Sequence, residues 1–146
     1  MLFGWLQQKT IRLIEAALTG VAPLGLLGVV DSPRLARALA ERGRRVTAIS
    51  RNAPGPKRVL FALRAHGGQL PLADGTLAAV IGRADGVDGV LDDWSRVVAE
   101  GGLVVVVDRA LREESSRLAL ACGLVDLEQR VAGRVVVTSG RVRKLG

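Results

Sequence analysis

The sequence predicts a three-layer α/β domain with a mostly parallel sheet, and three observations predict it. Apolar strand-like runs alternate with segments of helical spacing along the chain. The runs are apolar throughout, Leu103 to Val107 most clearly, as strands covered on both faces are. The last two runs, Val125–Val131 and Arg134–Ser139, are separated only by Ala132-Gly133 and read as an antiparallel hairpin.

The chain opens with MLFGWLQQKTIRLIEAAL, which fits an amphipathic helix. Leu2, Phe3, Leu6, Ile11, Leu13, Ile14 and Leu18 share one wide face, with Gln8, Lys9, Arg12 and Glu15 opposite and Trp5 among the polar residues. The first twenty residues are therefore an N-terminal helical segment, and 21–146 the α/β domain. The helix covers one face or edge of the sheet, or offers Phe3 and Trp5 to a protein partner or a membrane surface. It is too charged to span a membrane and lacks the continuous apolar stretch of a signal peptide, so a cytoplasmic location is expected.

Next comes LGLLGVVDSPRLARALAERG, Leu24 to Gly43. An apolar strand leads into Val29, Val30, Asp31, Ser32 and Pro33, and then Leu35, Ala36, Leu39 and Ala40 repeat at helical spacing up to Gly43. Asp31 or Ser32 reads as the N-cap and Pro33 as the first helical turn. Arg45 to Ser50 is a second strand. After the loop Asn52 to Pro56, Val59, Leu60, Ala62 and Leu63 suggest a short helix ending at Gly67-Gly68. Leu77 to Ile81 is a strand. Val90, Leu91, Trp94, Val97 and Val98 mark a helix stopping at Gly101-Gly102, and Leu103 to Val107 follows as a strand. Arg109 to Cys122 is helical, and the hairpin closes the chain.

Composition narrows the chemistry. A chain of 146 residues is one ordinary domain, and 49% hydrophobic residues with a mean hydropathy of +0.29 argue against disorder. One cysteine, Cys122, forms no internal disulfide and no Cys-ligated structural metal site; one histidine, His66, makes no His-rich site. The formal charge of +7 suits nucleic acid, an anionic surface or an acidic protein, but the arginines are dispersed. Arg141, Arg143 and Lys144 come nearest to a basic cluster.

Three segments resemble the class I S-adenosylmethionine-dependent methyltransferases. LPLADGTLAAVIGR, Leu70 to Arg83, is similar to the family's Leu-Pro and Asp-Gly-Ser/Thr turns leading into its fourth strand. LDDWSRVVAEGGLVVVVDR, Leu91 to Arg109, resembles its next helix, Gly-Gly turn and fifth strand. ACGLVDLEQRVAGRVVVTSGR, Ala121 to Arg141, resembles its closing helix end and last two strands. The resemblance implies a Rossmann-like methyltransferase fold from Leu24 onward.

The departures fall on the residues that hold the cofactor in the family. Its first strand carries an acidic residue and a Gly-x-Gly-x-Gly turn; those places hold Leu27, Val29, Asp31 and Pro33 here. Branched side chains, a carboxylate and a rigid ring stand where glycines let a ligand approach the backbone. The acidic residue that grips the ribose is replaced by Ser50, followed by Arg51, and that at the opening of the fourth strand by Ala78. Between Ser50 and Leu70 there is room for one short helix, so the family's third strand is expected to be lost. That would leave Val46 to Ser50 as a sheet edge, covered by the N-terminal helix or a partner chain.

Other candidate groups have structural readings. Asp92 and Asp93 point about 100° apart on a helix and suit its N-terminus. Glu113 and Glu114 with Arg117 read as helix-face ion pairs, Cys122 as core, and His66 as a helix C-terminal residue rather than a general base. The sequence thus points to a non-catalytic methyltransferase-like protein, binding no cofactor or metal and acting as an interaction or scaffold subunit, with a protein partner or as a homo-oligomer. Two alternatives stay open. One is a divergent methyltransferase that binds S-adenosylmethionine in an altered way. The other is an arginine-based binder of nucleic acid or an anionic membrane surface.

Overall fold

Seven strands form one sheet in the order β3-β2-β1-β4-β5-β7-β6. The computed structural model describes residues 2–50, 61–64, 70–83, 90–108 and 123–144. The strands are β1 (Leu26–Val30), β2 (Arg45–Ser50), β3 (Phe61–Arg64), β4 (Leu77–Gly82), β5 (Val98–Asp108), β6 (Val125–Ala132) and β7 (Val135–Arg141). The first five run parallel, and β7 is antiparallel to both β5 and β6. The described helices are α1 (Leu2–Ala17), α2 (Pro33–Glu41) and α3 (Val90–Val97), with a 3-10 turn at Leu18–Gly20 after α1. The expected helix over Arg109 to Cys122 lies outside the described residues.

Alternation along the buried strands divides the core into two layers. Leu27, Val29, Val46, Ala48, Ile81 and Val105 face α1 and α2, meeting Ile14, Leu18, Ala36 and Leu39. Val30, Ile49, Val80, Val104 and Val106 face the other way, onto Leu91, Trp94 and Val97 of α3. β1, β2, β4 and β5 each contribute to both layers, which is why these runs are largely apolar.

Several expectations need correction. The third strand is present: Phe61–Arg64 pairs in parallel with β2, Thr47 opposite Phe61 and Ser50 opposite Arg64. The continuous apolar spacing at Leu60, Ala62 and Leu63 does not separate strand from helix, and neighbouring β2 decides for strand. In consequence β2 lies between β1 and β3 and is no edge. The N-terminal helix covers one face of the sheet, as expected, crossing β5, β7 and β6 and touching α2, and does not lie along β2. Its Glu15, expected on a solvent face, is tied to Arg44 at 2.8 Å, with both side chains mostly buried.

The helix before β5 ends at Val97 rather than at Gly101-Gly102, and the glycines lie within the strand. Here the β4–β5 register breaks, between Leu77 opposite Val98 and Ala79 opposite Leu103. Gly101 takes a φ of 80°, and a Cβ on Gly102 would sit 2.4 Å from the Ala78 carbonyl oxygen. The glycines serve a bulge between closely packed backbones, not a helix stop. Among the described residues no helix is long and apolar enough to cross a membrane.

Candidate functional site

In an open parallel sheet a ligand binds outside the carboxyl ends of the strands, where successive connections leave in opposite directions. That point lies between β1 and β4. The groups gathered there are Val30, Asp31 and Ser32 after β1, Gly82 and Arg83 ending β4, and the neighbouring ends of β2 and β5 at Ser50 and Asp108.

The turn after β1 keeps the backbone of a glycine turn under other side chains. Asp31 takes a φ of 52°, a left-handed conformation that glycine adopts at no steric cost. Its N–H donates to the Ile49 carbonyl at 2.8 Å, so the chain bends across the end of β2 before entering α2. Ser32 is the N-cap residue and its carbonyl accepts from the Ala36 N–H at 2.9 Å. Its hydroxyl makes no capping bond, contrary to the expected side-chain cap; Pro33 at the first helical position carries the helix start instead.

The side chains at the end of β1 are packed inward. Val29 is 1% exposed and sits in the core against α1 and α2. Val30, also buried, turns to the opposite layer with Trp94. Gly82 lies directly opposite Val30 in the sheet. A Cβ on Gly82 would meet Trp94 Cη2 at 3.0 Å, the Val30 carbonyl oxygen at 3.1 Å and Val30 Cβ at 3.2 Å. Strand ends and indole are in close contact at the point where a ligand would have to reach the backbone. Leu27 lies in the core and the Asp31 side chain is exposed.

The remaining predicted residues are scattered. Leu27, Val29, Asp31 and Pro33 do lie together on β1 and the turn. Ala78 lies at the opposite, amino end of β4, where its Cβ faces Gly25. Ser50 ends β2 beside Arg64. The side chains of Phe3, Trp5 and Ser50 lie outside the described residues, as do Arg51, His66, Glu113, Glu114, Arg117 and Cys122. The basic cluster is pinned rather than loose. Arg141 belongs to β7 and donates to the Gly101 carbonyl at 2.7 Å, and the Lys144 ammonium donates to the Arg96 carbonyl at 3.0 Å. Arg143 and Lys144 are exposed and, with Ser95, Arg96, Leu124 and Val142, line an open cleft of about 240 Å³ far from the turn.

One residue that sequence reasoning passed over organises the amino end of β4. Arg96 on α3 donates to Asp93 at 2.9 Å, to Asp74 at 3.0 Å, and to the carbonyls of Leu72 at 2.8 Å and Leu70 at 3.1 Å. Asp93 also accepts from the Leu70 N–H at 2.6 Å. The hydrogen bonds that the guanidinium donates to Asp74 and then to Asp93 hold it above its usual pKa, against partial desolvation. Of the Asp92–Asp93 pair, one carboxylate is thereby used for structure. The signal was present as LPLADGT with an Arg one turn after Asp93, but a lone arginine among dispersed ones does not stand out.

The chain was compared with known proteins, and no protein-family model and no curated protein matches it. Solved structures do. A Thermotoga maritima S-adenosylmethionine-dependent methyltransferase superposes with a TM-score of 0.71 at 14% identity, over 94% of this chain and 89% of that one. The chain has the class I methyltransferase fold. Streptomyces coelicolor geranyl diphosphate C-methyltransferase, solved with S-adenosyl-L-homocysteine, gives 0.72 at 14% identity, over 92% of this chain and 76% of that one. A chain of the Haloferax volcanii complex that contains the Trm112 methyltransferase activator gives 0.69 at 12%, over 97% and 93%. At these identities the likeness concerns the fold alone.

Proposed function

We propose that this chain is a non-catalytic form of the methyltransferase fold that holds no adenosyl cofactor and works by binding protein. The observation that carries the reading is the contact of Val30, Gly82 and Trp94 at the mouth between β1 and β4. It is supported by the simultaneous change of residue type at Leu27, Val29, Asp31, Pro33 and Ser50. The presence of a Trm112 activator complex among the structural neighbours is consistent with a protein-binding role for this fold.

The divergent-methyltransferase reading has one observation in its favour: Asp31 preserves the left-handed backbone of a glycine turn. Thermal unfolding with and without millimolar S-adenosylmethionine, backed by titration calorimetry, separates the two. A ligand at one hundred times its dissociation constant adds about 2.7 kcal/mol of stability and raises the melting temperature of a domain this size by roughly 5 to 10 °C. The expected result is no shift and no heat of binding; a clear upward shift overturns the non-catalytic reading.

A further inference from the structure

The far edge of the sheet carries a self-complementary pattern. β6 is the terminal strand, with β7 on one side and, among the described residues, no strand on the other. Its hairpin closes through Gly133-Arg134, where Gly133 alone has positive φ, at 60°, as the first central residue of a type II′ turn requires. Such a two-residue turn closes on a hydrogen-bonded pair, here Ala132 and Val135. Counting back, Arg130 and Glu128 direct their backbone groups at β7, while Val131 and Gln129 direct theirs outward. A bulge over Asp126 and Leu127, with Asp126 at a φ of 52°, ends the regular stretch at its other side, leaving Glu128 to Ala132 as the usable edge.

Edge strands are normally blunted by charge or proline at such positions. β6 carries Glu128 and Arg130 and also exposes Val131, 51% accessible, at the turn end of its outward-bonding positions. We propose that β6 pairs antiparallel with β6 of a second copy of this chain about a two-fold axis at Gln129, joining two sheets into one. In that register the two copies of Gln129 exchange backbone N–H···O bonds, and Val131 of each copy lies beside Leu127 of the other on one face. Glu128 falls opposite Arg130 of the other copy, twice, at the non-hydrogen-bonded positions where side chains approach most closely. Glu128 and Arg130 already pair along the strand at 2.7 Å, so the dimer completes a square of alternating charge. α1 packs beside β6 on the face that carries this pair, so both copies of α1 extend the contact. Registers shifted by two residues place Glu128 or Arg130 opposite itself, and like charges oppose them.

The dimer gives the protein-binding role a surface and a partner, but it is independent of the cofactor site, which lies elsewhere in the sheet. Sedimentation velocity on the full chain, over roughly micromolar to millimolar concentration, is expected to show the mass rising from 15.4 kDa toward twice that value. Glu128→Arg sets Arg against Arg130 at both symmetry-related positions and is expected to weaken association about tenfold or more. Adding Arg130→Glu swaps the charges and is expected to restore it. Val131→Lys, at an exposed position that leaves the fold intact, is expected to give a monomer. A monomer throughout the concentration range overturns the proposal while leaving the ligand measurement untouched; so does a dimer indifferent to all three changes. Circular dichroism melts of each variant separate lost association from lost fold.

Discussion

The two ends of β4 are held in different ways. At its amino end the turns of LPLADGT are held by Arg96, Asp93 and the carbonyls of Leu70 and Leu72, and every group has a partner within about 3 Å. At its carboxyl end the frame is equally regular, and there Val30, Gly82 and Trp94 are in close contact. Motifs that the fold needs for its own packing persist, because losing them leaves buried polar groups unsatisfied. Motifs that serve only a ligand can be replaced by side chains that add apolar burial.

The most severe test of that contrast is to put a glycine back. Val29→Gly deletes a side chain that is 1% exposed and adds backbone freedom in the middle of a central strand. A loss of about 3 kcal/mol is expected, measured as a lower urea midpoint at unchanged slope. A loss below about 1 kcal/mol would mean that the position is not core, and the contrast between the two ends would fail.

Arg96→Met probes the other end. It removes the shared partner of Asp93, whose side chain is 9% exposed, and leaves the Leu70 and Leu72 carbonyls short of a donor. Because Arg96 itself is about one-third exposed and water can enter, the expected cost is about 1 to 2 kcal/mol. Arg96→Lys should recover little of it, since a point charge cannot span two carboxylates and two carbonyls as a planar fork does. Hydrogen exchange at the Leu70 amide, bonded to Asp93, is the local readout and should accelerate in both variants. Full protection in Arg96→Met would show that the turn holds itself.

Much of this was legible in the chain. β1, α2, β2, β4 and the hairpin follow from apolar runs, Gly43 and the Gly133 turn, because each has a local cause. The features that escaped depend on neighbours distant in sequence. β3 has four residues and becomes a strand only beside β2. β5 starts at Val98 because the bulge at Gly101-Gly102 is set by Ala78 across the sheet. Arg96 matters through Asp74 and Leu72, more than twenty positions away. In the candidate site, the changed residue types at Val29, Asp31 and Pro33 were visible from sequence. That Val30 and Trp94 would meet over Gly82 was not, since it depends on how α3 is placed.

Asp31→Gly gives the smallest expected change and divides the backbone of the turn from its filling. A left-handed residue with a Cβ costs about 1 kcal/mol in the folded state, somewhat less for Asp, whose short side chain tolerates this region. Glycine removes that cost and raises the entropy of the unfolded chain by a comparable amount. A net change within about 0.5 kcal/mol is therefore expected, small beside the loss at Val29 two residues earlier in the same motif. The N–H bond to Ile49 is a backbone bond and survives the substitution. Calorimetric titration of this variant with S-adenosylmethionine should still give no heat, because Val29 and Val30 keep their places. Binding regained by Asp31→Gly alone would mean that one carboxylate, and not the packing at the strand ends, had closed the site.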